Sequence, residues 1–422
     1  MPWRETSAVE EREQFVTQWL EGEWSKSALC RRYGITRRTG DKWLERYQAS
    51  GLAGLLDRSR APQHHPNQVS EAVVAVVVAA RRRHPLWGPR KLLAWLSRQS
   101  GGPVEWPSAS TVGEWLRREG LTVPRKRRRR AEPYTAPFSS CGSANAVWCV
   151  DFKGWFKTGD GVRCDPLTLS DAWSRYLLRC QAVSDTGYEA TRGVLEAAFR
   201  EYGLPQAMRS DNGTPFASRG VCGLSRLSVW WLRLGIVPER IEAGSPQQNG
   251  RHERMHRTLK AETAQPPREN RRAQQRAFDR FRREYNEERP HESLGQVPPG
   301  SVYETSPRSY PDRLAEVEYA SGWVTRRVEQ GGHFYWRGRE VFLSEALGGE
   351  RIGLEALDER YWMVYFTSWA LGVYDGHLGR MLQSGEASRV GLVREALGRP
   401  FRYAPGPAEG PTEPEVYTMC PV

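Results

Sequence analysis

Three acidic residues, Asp151, Asp211 and Glu253, follow one another in contexts suited to a single edge of one sheet. Asp151 lies in Val147-Trp-Cys-Val-Asp-Phe-Lys-Gly-Trp-Phe156, an aromatic and β-branched run that predicts a buried strand. Asp211 ends a short strand candidate and opens Asp-Asn-Gly-Thr214, whose Asn-Gly pair demands a turn. Glu253 falls one to two turns into a helix expected to start at Ser245-Pro-Gln-Gln248, a capping box with proline at the first helical position. Two neighbouring divalent ions need hard oxygen ligands from separate elements, because no single helix or strand can surround them. The trio suits two-metal phosphoryl transfer. Taken singly, an Asp in a strand is often an edge charge and an Asp before Asn-Gly a turn residue, so the chemistry rests on all three together.

On the Glu253 helix, Asn249, His256, Arg257 and Lys260 share the carboxylate's face, and Met255 and Leu259 point to the core. Those polar and cationic groups are expected to contact a DNA backbone. Arg289 and His291 could contact DNA or the carboxylates, or pack where a helix ends. A second class of chemistry is written into the same helix: His252-Glu-Arg-Met-His256 matches the H-E-x-x-H pattern of zinc metallopeptidases. Against it, Arg251, Arg254 and Arg257 surround the string with charge, Gly250 interrupts its start, and Glu262 and Glu269 lie in or near a Pro-Pro break that makes neither a compelling third ligand.

The strings Trp148-Cys-Val-Asp-Phe152, Leu169-Ser-Asp-Ala-Trp-Ser-Arg-Tyr176, Tyr202-Gly-Leu-Pro205, Arg209-Ser-Asp-Asn-Gly213, Ser245 to Lys260 and Tyr285-Asn-Glu-Glu-Arg-Pro-His-Glu-Ser-Leu294 resemble, motif for motif, the DDE core of bacterial insertion-sequence transposases, relatives of retroviral integrase. The resemblance implies an RNase H-like fold, catalytic and metal-binding roles for Asp151, Asp211 and Glu253, and two Mg²⁺ ions for which Mn²⁺ can substitute. Between Asp211 and Glu253 lie 41 residues, more than is usual in that family. The extra length falls in Val221 to Leu234 and reads as an extension on the core surface.

The elements that must position these residues suggest a multidomain chain. Strand candidates Val147–Phe156, Cys164–Leu169, Tyr176–Val183, Ala207–Ser210 and Ile236–Ile241, with helices Glu189–Glu201, Pro246–Ala264 and Ala273–Asn286, give a central α/β core with a mixed sheet over 144–295. Ahead of it, residues 1–58 carry three helix-spaced apolar sets: Phe15, Trp19 and Leu20; Ala28, Leu29 and Tyr33; Trp43, Leu44 and Tyr47. With a glycine turn at Gly34 and Arg37, Arg38, Lys42 and Arg46 outward, they form an all-α helix-turn-helix expected to place Arg37, Arg38 and Lys42 on DNA. Residues 68–123 repeat the rhythm in Val69–Arg83, Gly88–Ser97 and Ser108–Glu119, and Trp87-Gly-Pro-Arg-Lys91 resembles a tandem helix-turn-helix motif of these transposases. A basic linker spans 124–143 and a connector 296–315. Strand-like runs Val317–Arg327, His333–Leu343, Arg351–Leu357 and Tyr361–Val373, with turns at Gly331-Gly332 and Gly348-Gly349, predict a small β-barrel over 316–382. The tail 383–422 is expected to be disordered from about residue 398, where Pro and Gly dominate.

Charge points to the same partner. Residues 1 to 130 hold 25 Lys and Arg against 13 Asp and Glu, while the rest hold 37 of each, so the whole excess of +12 is N-terminal. A polyanion suits such a segment, since each neutralised phosphate releases counterions. Seven scattered cysteines without a Cys-x-x-Cys pair suggest a reducing compartment. The charged N-terminus lacks a secretory signal, and the longest apolar run, Ala72 to Ala80, is too short for a bilayer. The expected setting is the bacterial cytoplasm, at the nucleoid when bound to DNA, with terminal inverted repeats, target DNA and further copies of the chain as partners and no membrane. A transposon-derived DNA-binding regulator that no longer cuts is the alternative, which the intact carboxylates disfavour.

Arg125, Lys126, Arg127, Arg128, Arg129 and Arg130 form six consecutive cations with no aromatic residue between them, suited to phosphates and poor at discriminating bases. Replacing all six with Gln should weaken binding to every DNA sequence by a similar factor. The slope of log affinity against log salt should flatten by roughly one unit per lost phosphate contact; an unchanged slope would make the run a solvated linker.

Overall fold

A computed structural model describes residues 7–59, 69–101, 104–122, 141–218, 220–241, 250–382 and residue 386. These fall into two compact units, one up to residue 70 and the other from residue 71.

The first unit holds α1 (Ala8–Leu20), α2 (Lys26–Arg32) and α3 (Arg37–Ser50). Ser7, Ser25 and Thr36 cap the three helices by accepting backbone N–H groups, as their short oxygen-bearing side chains favour. Phe15, Val16, Leu29, Cys30, Trp43, Leu44 and Leu55 bury one core. Gly34 takes a positive φ of 63° in the turn, and Gly40 lets α3 approach α2, since a Cβ there would meet Cys30 Sγ at 2.6 Å. Leu20, expected inside, is 58% exposed because α1 turns its Phe15–Val16 side to the core.

In the second unit α4 (Glu71–Arg83), α5 (Pro89–Gln99) and α6 (Ala109–Arg118) pack around Val77, Trp87, Leu92, Leu96, Val112 and Leu116. This bundle rests on the α/β core. His84, stacked on Trp87 with centroids 3.8 Å apart, meets Glu284 through Nδ1 at 2.9 Å; Arg83 pairs with Glu288 at 3.2 Å; Arg98 donates to the carbonyls of Gln296 and Glu288.

The core comprises β1 (Val147–Phe152), β2 (Phe156–Lys157), β3 (Arg163–Asp171), β4 (Leu177–Val183), α7 (Tyr188–Tyr202), β5 (Ala207–Ser210), α8 (Arg226–Arg233), β6 (Val237–Arg240), α9 (Gly250–Thr263) and α10 (Arg271–Arg283). Antiparallel β4, β3 and β1 continue into parallel β5 and β6, giving the expected mixed sheet, while β2 extends the β1 edge by pairing with the start of β3. The run expected as one strand, Val147–Phe156, breaks at Gly154, whose φ of 83° interrupts the pleat. After α10 a π-helical turn, Glu284–Glu288, turns Asn286 inward, where its amide accepts from Leu177 N at 2.8 Å and donates to Leu177 O at 3.0 Å.

Segment 221–234 corrects the expectation of a surface extension. Leu227, Trp230 and Trp231 of α8 enter the sheet's core with Trp148, Phe199 and Met208, while Leu224, Val229 and Leu232 join the C-terminal core. There β7 (Val324–Arg327), β10 (Arg351–Ala356), β11 (Tyr361–Phe366), β12 (Trp369–Asp375) and β13 (Arg380–Met381) form an antiparallel sheet in the order β13-β12-β11-β10-β7. The hairpin of β8 (His333–Trp336) and β9 (Arg339–Phe342) adds Phe334, Trp336 and Val341 to the same core. Among the described residues no backbone pairing joins β7 to β13, so the expected barrel is seen as an open sheet with a covering hairpin. Two expected strands are hairpins instead, turning at Arg337-Gly338 and at Thr367, whose φ values are positive. The expected tail beyond residue 386, the linker's basic run and the capping box at 245–248 lie outside the described residues.

Because Trp231 is fully buried, Trp231→Ala should cost about 3–5 kcal/mol. Urea unfolding followed by fluorescence checks this, and a loss below about 1 kcal/mol would mean that α8 is an appendage rather than shared core.

Candidate active site

The sheet register carries the site. Parallel β1 and β5 pair Cys149 with Arg209, so Asp151 and Asp211, each two residues further on, stand at equal height at the carboxyl ends of adjacent strands. Clefts at such strand ends are where open α/β sheets place their ligands. Asp211 lies just past β5, where its Oδ1 accepts the Gly213 N–H at 3.1 Å and Asn212 donates to the Ile241 carbonyl at 2.7 Å, so the Asp-Asn-Gly turn fixes its carboxylate. Behind it, Arg209 and Glu239 join β5 to β6 through a buried pair at 2.8 Å.

Asp151, its side chain 18% exposed, has its pKa pushed up to about 7. Burial is the main cause, followed by the Asp211 charge; Glu253 adds repulsion, and Lys153 works the other way. The Asp211 and Glu253 charges thus both bear on Asp151. Carboxylates from a strand, a turn and a helix, two of which raise the pKa of the third, offer hard oxygens of the kind divalent cations take.

Helix α9 presents its other side to β3. His252 and His256 are both buried, and the Nε2 of each lies 2.6 Å from Thr168 Oγ1. Thr168 pairs with Asp151 in the β1–β3 register and donates to the Asp151 carbonyl at 3.1 Å. His256 Nδ1 approaches Asp151 Oδ2 at 3.8 Å. Burial holds His252 at about 4 and His256 at about 2, so both rings are neutral near pH 7.

His256, expected to face DNA, is thus corrected: one turn beyond His252, it lies under the helix against β3. Arg257 and Lys260 remain exposed with Glu253, as do Arg37, Arg38 and Lys42 in the first unit; Asn249 lies outside the described residues. Arg289 and His291 take the packing role: Arg289 pairs with Glu262 at 3.0 Å, and the His291 ring meets Tyr285 at 4.7 Å. The histidine side of α9 is buried, contrary to what the flanking arginines suggest, and Asp151 completes a set of donor atoms all within 4.8 Å of one another. The peptidase reading still fails locally, because both Nε2 atoms are engaged by one threonine. Thr168 and His252 escaped sequence reasoning as site residues. Thr168 carries no motif of its own, and the only signal for His252 was the i, i+4 spacing that had suggested a protease helix.

The folded protein favours the protonated Asp151 acid, so stability present below the ordinary carboxylate range is lost as pH rises towards about 7. At pH 8 in chelator, Asp151→Asn should melt several degrees above the parent, and the gap should close near pH 4. Added Mg²⁺ should stabilise the parent and not the variant. Equal melting temperatures at both pH values would contradict the repulsion.

Comparison with known proteins agrees with this architecture. Integrase core domain families match residues 143–246 and 234–299, a helix-turn-helix domain family matches 11–63, and a homeodomain-like domain family matches 39–116. An uncharacterized protein of insertion element IS407 from Burkholderia multivorans is 29% identical over 59% of this chain and 86% of its own length. One of insertion element IS476 from Xanthomonas euvesicatoria is 28% identical over 67% of this chain and 78% of its own. The putative transposase y4bF of Sinorhizobium fredii is 25% identical over 59% and 54% respectively. The chain is thus similar to integrase core domains over 143–299 and to helix-turn-helix domains ahead of them, and its relatives include proteins of bacterial insertion elements.

Proposed function

We propose that the protein binds the terminal repeats of an insertion sequence, cleaves there and transfers the freed 3′ end into target DNA, with Asp151, Asp211 and Glu253 holding two Mg²⁺ ions that Mn²⁺ can replace. The observation that carries this reading is the in-register pair Asp151 and Asp211 at parallel strand ends, with the Glu253 charge acting on the same point. Held by these three carboxylates, such ions would supply Lewis-acid chemistry, lowering the pKa of a water or 3′-hydroxyl and offsetting charge on a leaving oxygen.

The chain's own work is positioning. Strand β1 and the Asp-Asn-Gly turn hold two carboxylates on rigid elements, and Glu253 brings the third from the exposed side of α9. Arg257 and Lys260, exposed on the same helix, are suited to hold a phosphate backbone beside the carboxylates. Arg37, Arg38 and Lys42, exposed in the first turns of α3, are suited to the major groove. Asn249 and the cations at 125–130 are assigned to phosphate contacts. The proposed division is recognition at 1–58 and 68–123, linkage at 124–143 and 296–315, chemistry at 144–295, and contacts with DNA or further copies of the chain at 316–382, where sheet and hairpin together approximate a small barrel. The site of action is the bacterial nucleoid, and the active complex contains several copies of the chain.

Asp151→Asn, Asp211→Asn and Glu253→Gln should each abolish Mg²⁺-dependent joining of a terminal-repeat oligonucleotide while leaving its binding within about threefold, since each removes a cation ligand and no DNA anchor. Robust joining by any one of the three would sink the assignment.

A further inference from the structure

We infer that His256 is a nitrogen ligand of the cation held at Asp151, so that this centre favours a transition ion such as Mn²⁺ over Mg²⁺; the inference rests on the metal-dependent reading above. It follows from counting protons around Thr168. A threonine hydroxyl has one proton to donate and two lone pairs to accept. Three groups surround this one: the Asp151 carbonyl at 3.1 Å, His252 Nε2 at 2.6 Å and His256 Nε2 at 2.6 Å. The carbonyl can only accept. The hydroxyl proton therefore goes to it, and both imidazoles donate from Nε2 into the oxygen's two lone pairs.

A neutral imidazole carries one N–H, so with Nε2 protonated each ring keeps a lone pair on Nδ1. For His252 that lone pair meets Ser170 Oγ at 3.2 Å, a hydroxyl that can donate. For His256 it faces Asp151 Oδ2 at 3.8 Å, a second lone-pair-bearing atom. That distance is too long for a hydrogen bond. It lies a little beyond the spacing of about 3.0–3.5 Å between adjacent ligands of an ion with bonds of about 2.1 Å. Two donor atoms this near one another suit a shared cation. Thr168 and Ser170 hold the histidine tautomers much as outer hydrogen-bond partners orient metal-binding imidazoles elsewhere.

The nitrogen changes which ion is preferred. Mg²⁺ is bound chiefly through carboxylates, phosphates and water, whereas imidazole suits the later first-row ions. Removing it should lower Mn²⁺ affinity about tenfold and change Mg²⁺ affinity by less than about threefold.

The test uses the full-length protein with ¹⁵N-labelled histidine and bound Mn²⁺, read by pulsed electron paramagnetic resonance for a directly bonded imidazole nitrogen. The coupling should be present in the parent and in His252→Gln. It should vanish in His256→Gln, whose amide nitrogen can still donate to Thr168 but leaves nothing at the Nδ1 position. No histidine coupling in the parent, with Mn²⁺ binding that Asp151→Asn abolishes, would overturn His256 ligation and leave the metal-dependent reading standing. A coupling that survives in His256→Gln would overturn it as well. Mn²⁺ binding unaffected by both Asp151→Asn and Asp211→Asn would overturn the metal-dependent reading itself.

Discussion

Two carboxylates held in register at the ends of neighbouring parallel strands repel one another, and the sheet gives them no freedom to separate. Backbone pairing from Val147–Ala207 to Cys149–Arg209 fixes the height of both Asp151 and Asp211, and burial around Asp151 removes the water that would otherwise screen the repulsion. Both effects favour a proton on Asp151, whose pKa is pushed up to about 7. The donor set and the rigidity of its supports thus share one cause, the parallel β1–β5 pairing.

That pairing is braced from several directions. Helix α9 lies against β3 through the Thr168, His252 and His256 network, so the helix bearing Glu253 is keyed to the residue opposite Asp151. On the other side α8 fills the sheet's core with Trp230 and Trp231 while its Val229 and Leu232 anchor the C-terminal sheet. The three-helix bundle of α4–α6 directs Arg83, His84 and Arg98 at the segment following α10, so several of its basic groups serve docking within the unit. In the first unit, Arg37, Arg38 and Lys42 stay exposed, which leaves that module better provided for a polyanion.

Much of this was legible in the sequence because local chemistry agreed with global structure. The apolar run at Val147, the Asp-Asn-Gly turn and the helix-spaced apolar sets of residues 1–58 each announce their element, and the order of carboxylates announces the candidate site. The misreadings have physical reasons. Gly154 breaks a run that its aromatic and β-branched residues otherwise mark as strand, and the turn at Thr367 lacks the glycine that would mark it. Helix α8 buries residues on opposite sides against two different cores, so a short apolar stretch read as peripheral is central. Helical spacing places His256 beside Glu253 but cannot show that Thr168, 84 residues before His252, waits beneath the helix. Side-chain partnership across such a separation is set by tertiary packing, and no period in the sequence encodes it.

Whether Asp151 and Asp211 share a divalent cation can be read from anomalous scattering by crystals grown with Mn²⁺. A shared ion gives a peak within bonding distance, about 2.0–2.3 Å, of a carboxylate oxygen from each residue. Well-ordered Asp151 and Asp211 with no peak between them, and Mn²⁺ bound elsewhere on the chain, would contradict it.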